Sequence, residues 1–268
     1  MTKQNSKILK LKNILREMDS ALVAFSGGAD STFLLKVARG TLGSKVLAVT
    51  ATSATYPAEE LAFSKKIAKS LGARHKIIKT SELENKNFYS NPVERCYFCK
   101  KELFSKLKDI AHREKINFVL DASNLSDKQD FRPGNQAKKE FKIRSPLEEA
   151  GFTKEDIRRT SKKLGLITWD KPSLACLASR IPYGTKISSG VLQRIDQGER
   201  FLRNLGFRQV RLRHYNGLCR IETLKEDIPD FLKKRNLVIE KLRKLGYNYI
   251  TLDLAGYRTG SLNEAIKK

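Results

Sequence analysis

The chain has 268 residues, enough for one large or two modest hydrophobic cores. Its 53 lysines and arginines outnumber 29 aspartates and glutamates, for a net charge of +24, which suits a nucleic-acid partner, anionic nucleotides or a solvated basic surface. No stretch approaches the ~20 apolar residues of a membrane span, and Met1-Thr2-Lys3-Gln4-Asn5 has no apolar leader. Four cysteines are too few for a disulfide framework. A cytoplasmic protein is expected, with thiols that serve metal binding or catalysis.

Ile8, Leu11, Leu15 and Met18 recur at spacings of three and four, predicting a short amphipathic helix. Ala21-Leu22-Val23-Ala24-Phe25 then reads as a buried strand. A small turn, Ser26-Gly27-Gly28-Ala29-Asp30-Ser31, leads into a helix through Thr32 to Ala38. The second strand is Lys45 to Thr52. Pro57-Ala58-Glu59-Glu60 starts a helix ending near Leu71-Gly72. A third strand, His75 to Lys79, is followed by a helix from about Cys96 to His112. The fourth strand is Asn117 to Asp121, and a loop spans Ser123 to Gly134. A short strand is expected near Ile143. Thr153-Lys154-Glu155-Asp156 forms a capping box for a helix to Gly165. Alternating strand and helix predict an α/β domain with a Rossmann-like parallel sheet over residues 1–172.

The pattern changes after Trp169-Asp170-Lys171-Pro172. A loop over 173–187 should link the first domain to a small α+β domain, 188–268. That domain reads as a helix from Ser189 to Leu205, strands Val210 to Tyr215 and Leu218 to Thr223, a helix carrying Leu232, Val238, Ile239, Leu242 and Leu245, and a last strand Tyr247 to Leu252.

The turn after the first strand has the makings of an anion site. Its N–H groups point outward beside a helix N-terminus. Gly27 and Gly28 admit a phosphate close to the backbone. Ser26 and Ser31 add hydroxyls, and Asp30 supplies a carboxylate for Mg²⁺. Ala51 and Thr52, ending the neighbouring strand, would border an adenine. The turn lacks the Gly-Lys-Ser/Thr ending of a Walker loop, which argues against ordinary γ-phosphate transfer.

Arg95-Cys96-Tyr97-Phe98-Cys99-Lys100 places CxxC at a helix start, and Cys176 lies 77 residues after Cys99. Three converging thiolates suit an iron–sulfur cluster or zinc, while CxxC alone also suits packed thiols or a redox pair. On a four-iron cluster with three protein ligands, one iron stays open for an extra sulfide. Cys219 should face the core beside Ile221. Period-two alternation puts Arg211 and Arg213 on one strand face, as a phosphate or carboxylate clamp or as a solvated face balanced by Glu222.

Ser26-Gly27-Gly28-Ala29-Asp30-Ser31 resembles the PP-loop of N-type ATP pyrophosphatases. Asp130-Phe131-Arg132-Pro133-Gly134, Cys176, Ser179-Arg180-Ile181-Pro182-Tyr183-Gly184-Thr185 and Thr251 to Ser261 extend the likeness. Over nearly its whole length the chain is similar to the LarE family, ATP-dependent sulfur transferases of nickel-pincer nucleotide synthesis. The resemblance implies that ATP adenylates each carboxylate of pyridinium-3,5-biscarboxylic acid mononucleotide, releasing pyrophosphate, and that sulfur then displaces AMP. One branch takes the sulfur from a cysteine matching Cys176. The other holds a [4Fe-4S] cluster on cysteines matching Cys96, Cys99 and Cys176, and all three are present here. The resemblance assigns Ser26, Gly27, Gly28, Asp30 and Ser31 to the ATP phosphates. It places Lys100, Ser179, Arg180 and Glu199 near the reaction, and Arg211, Arg213 and Asp230 at the substrate phosphate. It does not name the sulfide source, and a homo-oligomer, a hexamer by analogy, is implied. Asp121-Ala122-Ser123-Asn124-Leu125-Ser126-Asp127 departs from the Gly-Thr-Asn-x-Asp-Asp-like run of many members.

Two other functions fit parts of the pattern. A PP-loop tRNA thiolase also joins CxxC to a distant cysteine, and the positive charge would help it hold RNA. A nucleotide-sensing module with structural zinc would use the same two motifs without catalysis.

Overall fold

A computed structural model describes residues 3–129, 133–172 and 175–265. In chain order the elements are α1 (Lys3–Met18), β1 (Ala21–Ala24), α2 (Ala29–Leu42), β2 (Val46–Thr52), α3 (Ala58–Ser70), β3 (Arg74–Lys79), α4 (Lys86–Tyr89), α5 (Arg95–Arg113), β4 (Phe118–Leu120), α6 (Gly134–Glu140), α7 (Pro146–Glu149) and α8 (Lys154–Lys163). There follow α9 (Ser189–Asn204), β5 (Val210–Tyr215), β6 (Leu218–Thr223), α10 (Ile228–Lys233), α11 (Arg235–Lys244) and β7 (Tyr249–Leu252). They divide into two compact units. The first is Met1–Asn85 with Val93–Leu174, and the second is Lys86–Pro92 with Ala175–Lys268.

The first unit carries a four-stranded parallel sheet, ordered β3-β2-β1-β4. β1, β2 and β4 are apolar on both faces, as strands covered by helices require, whereas the edge strand β3, Arg-His-Lys-Ile-Ile-Lys, is largely exposed. Ala21, Val23, Val46, Ala48 and Leu120 share a core with Leu11 and Leu15 of α1 and Phe33, Leu34 and Leu35 of α2. The alternate residues Leu22, Leu47, Val49 and Val119 pack with Phe104, Leu107 and Ile110 of α5. Period-two alternation thus sends successive residues to opposite helical layers. β2 and β4 flank β1, so the strand order reverses at β1. The turn after β1 therefore sits at the switch point, where open parallel sheets bind ligands.

The second unit has a three-stranded sheet, β5-β6-β7, with β5 antiparallel and β7 parallel to β6. α9 crosses this sheet closely. A Cβ on Gly198 would come within 2.6 Å of Leu212 and 3.3 Å of Leu242. Cys219 and Ile221 are both fully buried, as the alternation predicts.

Two expected elements differ. No strand forms at Ile143; a single parallel bridge joins Arg144 to Leu120, and Pro146 then opens α7. The helix expected through Leu232 and Leu245 is two helices, α10 and α11, parted at Lys234. The Lys234 ammonium reaches the Leu205 carbonyl at 2.9 Å, and Leu232 and Leu237 face solvent, so no continuous apolar stripe spans the break. α4, α6 and α7 are additional short elements, with α6 falling just after the expected 123–134 loop. Asp130, Phe131 and Arg132 of the Asp-Phe-Arg-Pro-Gly motif, and Ser173 and Leu174 of the linker, lie outside the described residues.

Candidate active site

In the first unit the turn after β1 is laced by its own serines. Ser31 Oγ accepts from the Ser26 N–H at 3.3 Å, lies 3.1 Å from Ser26 Oγ and donates to the Gly28 carbonyl at 3.3 Å. Gly27 adopts φ +69°, and a Cβ there would lie 3.0 Å from the Ser64 backbone of α3. Only glycine meets both conditions. Gly28 caps α2, so the first N–H groups of a 14-residue helix face the turn without partners in the helix itself. Such a loop binds an anion.

Asp30, on the first turn of α2, receives the Asn124 side-chain amide at 3.4 Å from the loop after β4. Ala51 and Thr52 end β2, half-buried, on the same sheet edge. In that β4 loop, Asp121 bonds Ser123 and Ser145 and pairs with Lys138 at 3.2 Å. Burial alone would raise its pKa, but Lys138, the hydroxyls and Lys100 hold the carboxyl below its ordinary value.

Cys96, Cys99 and Lys100 lie on the opening turns of α5. Cys96 is exposed and Cys99 half-buried. A spacing of three puts the two sulfurs on one side of the helix. In exposure, softness and placement this pair suits a thiophilic metal or cluster. Among the described residues no group of three or more His, Cys, Asp or Glu side chains is arranged to hold a metal ion.

In the second unit Cys176 is exposed and caps a 3₁₀ turn, Leu177–Arg180. Arg180, fully buried, grips that turn from beneath. One guanidinium nitrogen donates to the carbonyls of Ala175 (2.6 Å) and Cys176 (3.1 Å) and to Ser179 Oγ (3.0 Å). The other two nitrogens close on the buried Glu199 carboxylate at 2.8 and 2.9 Å. Glu199 also accepts the Leu212 N–H at 3.0 Å. Burial would raise its pKa, but Arg180 and then Arg211 hold it below normal. Arg180 and Glu199 thus act on Cys176 through its backbone.

Arg211 and Arg213 do share a face, and neither is solvated. Arg213 forks onto Glu222 at 2.9 and 2.8 Å and donates to the Ser179 carbonyl and Ser261. Arg211 lies over the Tyr257 ring at 5.3 Å, and burial beside Arg180 lowers its pKa to about 10. Asp230 stands apart in character: half-exposed on α10, it pairs with Lys234 at 2.8 Å.

Asn91 was not singled out in the sequence. Its side-chain amide donates to the carbonyls of Pro182 (2.7 Å) and Thr185 (2.9 Å), and its own carbonyl accepts the Gly184 N–H. It therefore clips the Ser179–Thr185 string beside Cys176. An Asn before Pro92 marks a turn, but not its partner. Lys171 and Tyr56, which touch the phosphate loop, carry no motif at all.

A phosphate-binding turn at the switch point of a parallel sheet, without a Walker lysine, defines a PP-loop nucleotide-binding enzyme. The family model of queuosine biosynthesis protein QueC, another PP-loop protein, matches residues 20–92. An uncharacterised protein of Synechocystis sp. is 43% identical over 98% of this chain and 99% of its own. The pyridinium-3,5-bisthiocarboxylic acid mononucleotide synthase of Lactiplantibacillus plantarum is 38% identical over 95% of this chain and 92% of its own. An uncharacterised protein of Methanocaldococcus jannaschii is 30% identical over 94% of this chain and 98% of its own. The chain belongs to the LarE family of ATP-dependent sulfur transferases. No helix among the described residues is long and apolar enough to cross a membrane.

Proposed function

We propose that this cytoplasmic enzyme converts pyridinium-3,5-biscarboxylic acid mononucleotide to the bisthiocarboxylic acid, using sulfide delivered from a [4Fe-4S] cluster on Cys96, Cys99 and Cys176. The observation that carries the substrate is the 38% identity to the Lactiplantibacillus plantarum synthase across nearly the whole of both chains. The cluster assignment is supported by the CxxC pair on α5, with Cys96 exposed and Cys99 half-buried, and by the exposed Cys176. Cys96, Cys99 and Cys176 would hold the cluster, which when bound would supply the sulfur for transfer.

Each carboxylate attacks the α-phosphorus of ATP, and pyrophosphate leaves. The Ser26–Ser31 turn would hold the phosphates, Asp30 would hold Mg²⁺, and Ala51 and Thr52 would border the adenine. The acyl carbon of the adenylate then forms a bond to sulfur, and its bond to AMP breaks. Arg180 and Glu199 fix the Cys176 turn. Ser179 and Lys100 lie near the reacting groups, and Arg211, Arg213 and Asp230 belong to the region that receives the substrate phosphate. The active form is a homo-oligomer. The tRNA thiolase reading is not favoured, because the full-length likeness runs to the mononucleotide synthase.

Anaerobic purification with iron and acid-labile sulfide analysis tests the proposal. Wild type should carry roughly four irons per chain, the content of a four-iron cluster. Cys96→Ala, Cys99→Ala and Cys176→Ala should each lose iron and sulfur transfer while still releasing pyrophosphate. Full iron content in all three variants, or stoichiometric zinc in place of iron, would overturn the cluster assignment. Thiolation of tRNA but not of the mononucleotide would overturn the substrate.

A further inference from the structure

An anion-binding turn works only if its carbonyl oxygens face away from the anion, because a carbonyl dipole aimed inward repels phosphate. In this turn two of them are fastened by side chains from beyond the turn's own sequence. The Tyr56 hydroxyl donates to the Ser26 carbonyl at 2.8 Å, and the Lys171 ammonium donates to the Gly27 carbonyl at 3.3 Å.

Both donors rest on α3. Glu60 pairs with Lys171 at 2.8 Å, and the two side chains are only 11% and 13% exposed. The Lys171 ammonium also sits 3.6 Å from the centre of the Phe63 ring. Tyr56 lies near Glu60 and Ser64, the latter being the residue whose backbone confines Gly27. One face of α3 thus supplies Glu60, Phe63 and Ser64 to a single task. Lys171 comes from more than a hundred residues further along the chain, so the pairing is not a by-product of local sequence. Burial lowers the pKa of its ammonium, and Glu60 opposes that shift.

We infer that Tyr56 and Lys171 are positioning residues of the phosphate loop, which turn the Ser26 and Gly27 carbonyls away from the nucleotide, with Glu60 holding the lysine in place. This rests on the ATP-binding reading of the turn. Neither residue needs to touch the nucleotide; each sets which backbone dipoles the phosphates meet. Lys171 adds a fixed positive charge next to the turn, which also favours an anion.

The test compares a ligand that meets only the turn with one that does not. Mg-pyrophosphate and adenosine are titrated separately into wild type, Lys171→Met and Tyr56→Phe, with circular dichroism as a check on folding. Loss of a charge-assisted bond to a backbone dipole should weaken pyrophosphate about tenfold in Lys171→Met, and loss of a neutral one about threefold in Tyr56→Phe. Adenosine affinity should stay within about twofold, since stacking and edge contacts of the base do not involve these carbonyls. Pyrophosphate affinity unchanged in both variants, or adenosine weakened as much as pyrophosphate, would overturn the inference while leaving the nucleotide reading intact. A wild-type protein that binds neither Mg-ATP nor pyrophosphate would overturn both.

Discussion

Asp156 shows at the scale of one residue what sequence reveals and what it hides. Its part in the capping box with Thr153 is legible, because both partners lie within four residues, and the structure forms the box. Its second partner is not legible: Lys7, at 2.6 Å, comes from α1 at the other end of the unit. Burial alone would raise the Asp156 pKa, but Lys7 and the Thr153 N–H and hydroxyl bring it down to about 2. A carboxyl that is more acidic folded than unfolded stabilises the native state above its unfolded pKa of ~3.9 and loses that contribution as pH falls toward the folded value. Wild-type stability should therefore fall by about 2 kcal/mol between roughly pH 4 and pH 2 on account of this group. Urea unfolding across that range checks it, since Asp156→Asn should be less stable at neutral pH and lack that component of the slope. The arginines give the same lesson. Alternation correctly puts Arg211 and Arg213 on one face, but burial of that face follows from packing in the second unit, which no strand pattern contains.

Among the elements, the long and strongly periodic ones were readable and the short ones were not. α2, α5, α9 and the β5–β6 pair fall where their apolar spacing puts them. α4 and α7 are four-residue turns whose stability comes from what they pack against, not from propensity. The segment around α4 matters most, because Asn91 caps the string that leads from Cys176. Asn91 is fully buried at φ +59°, a conformation asparagine tolerates better than alanine. Asn91→Ala should cost about 2–4 kcal/mol, from strained backbone and from buried carbonyls left without donors. Asn91→Gly removes the strain but not the orphaned carbonyls, so it should recover only part of the loss. Thermal melts of the two variants separate these contributions.

For the whole molecule, the +24 charge is the strongest compositional signal and the least specific. Self-repulsion of this size should weaken the native state at low ionic strength. Between about 0.1 and 1 M chloride the screening length falls from ~10 to ~3 Å, so the melting temperature should rise with salt over that range. A differential scan without nucleotide measures it, and a melting temperature that falls with salt would contradict the expectation. Fold class was legible because both halves follow simple periods. The Ser26–Ser31 turn between β1 and α2 was legible because its residues are contiguous. The fastening of that turn by Lys171 was not, because it depends on a crossing of distant segments.

The second unit is assembled from two stretches of chain, Lys86–Pro92 and everything from Ala175 onward. The amide of Asn91 is made 90 residues before the Ile181 carbonyl that it also reaches, at 3.4 Å. A ribosome adding about 5–20 residues per second leaves the earlier stretch waiting roughly 5–20 s for its other half. During that interval residues 86–92 lack the partners that they meet in the finished fold, so their order in the second unit waits on the last third of the chain.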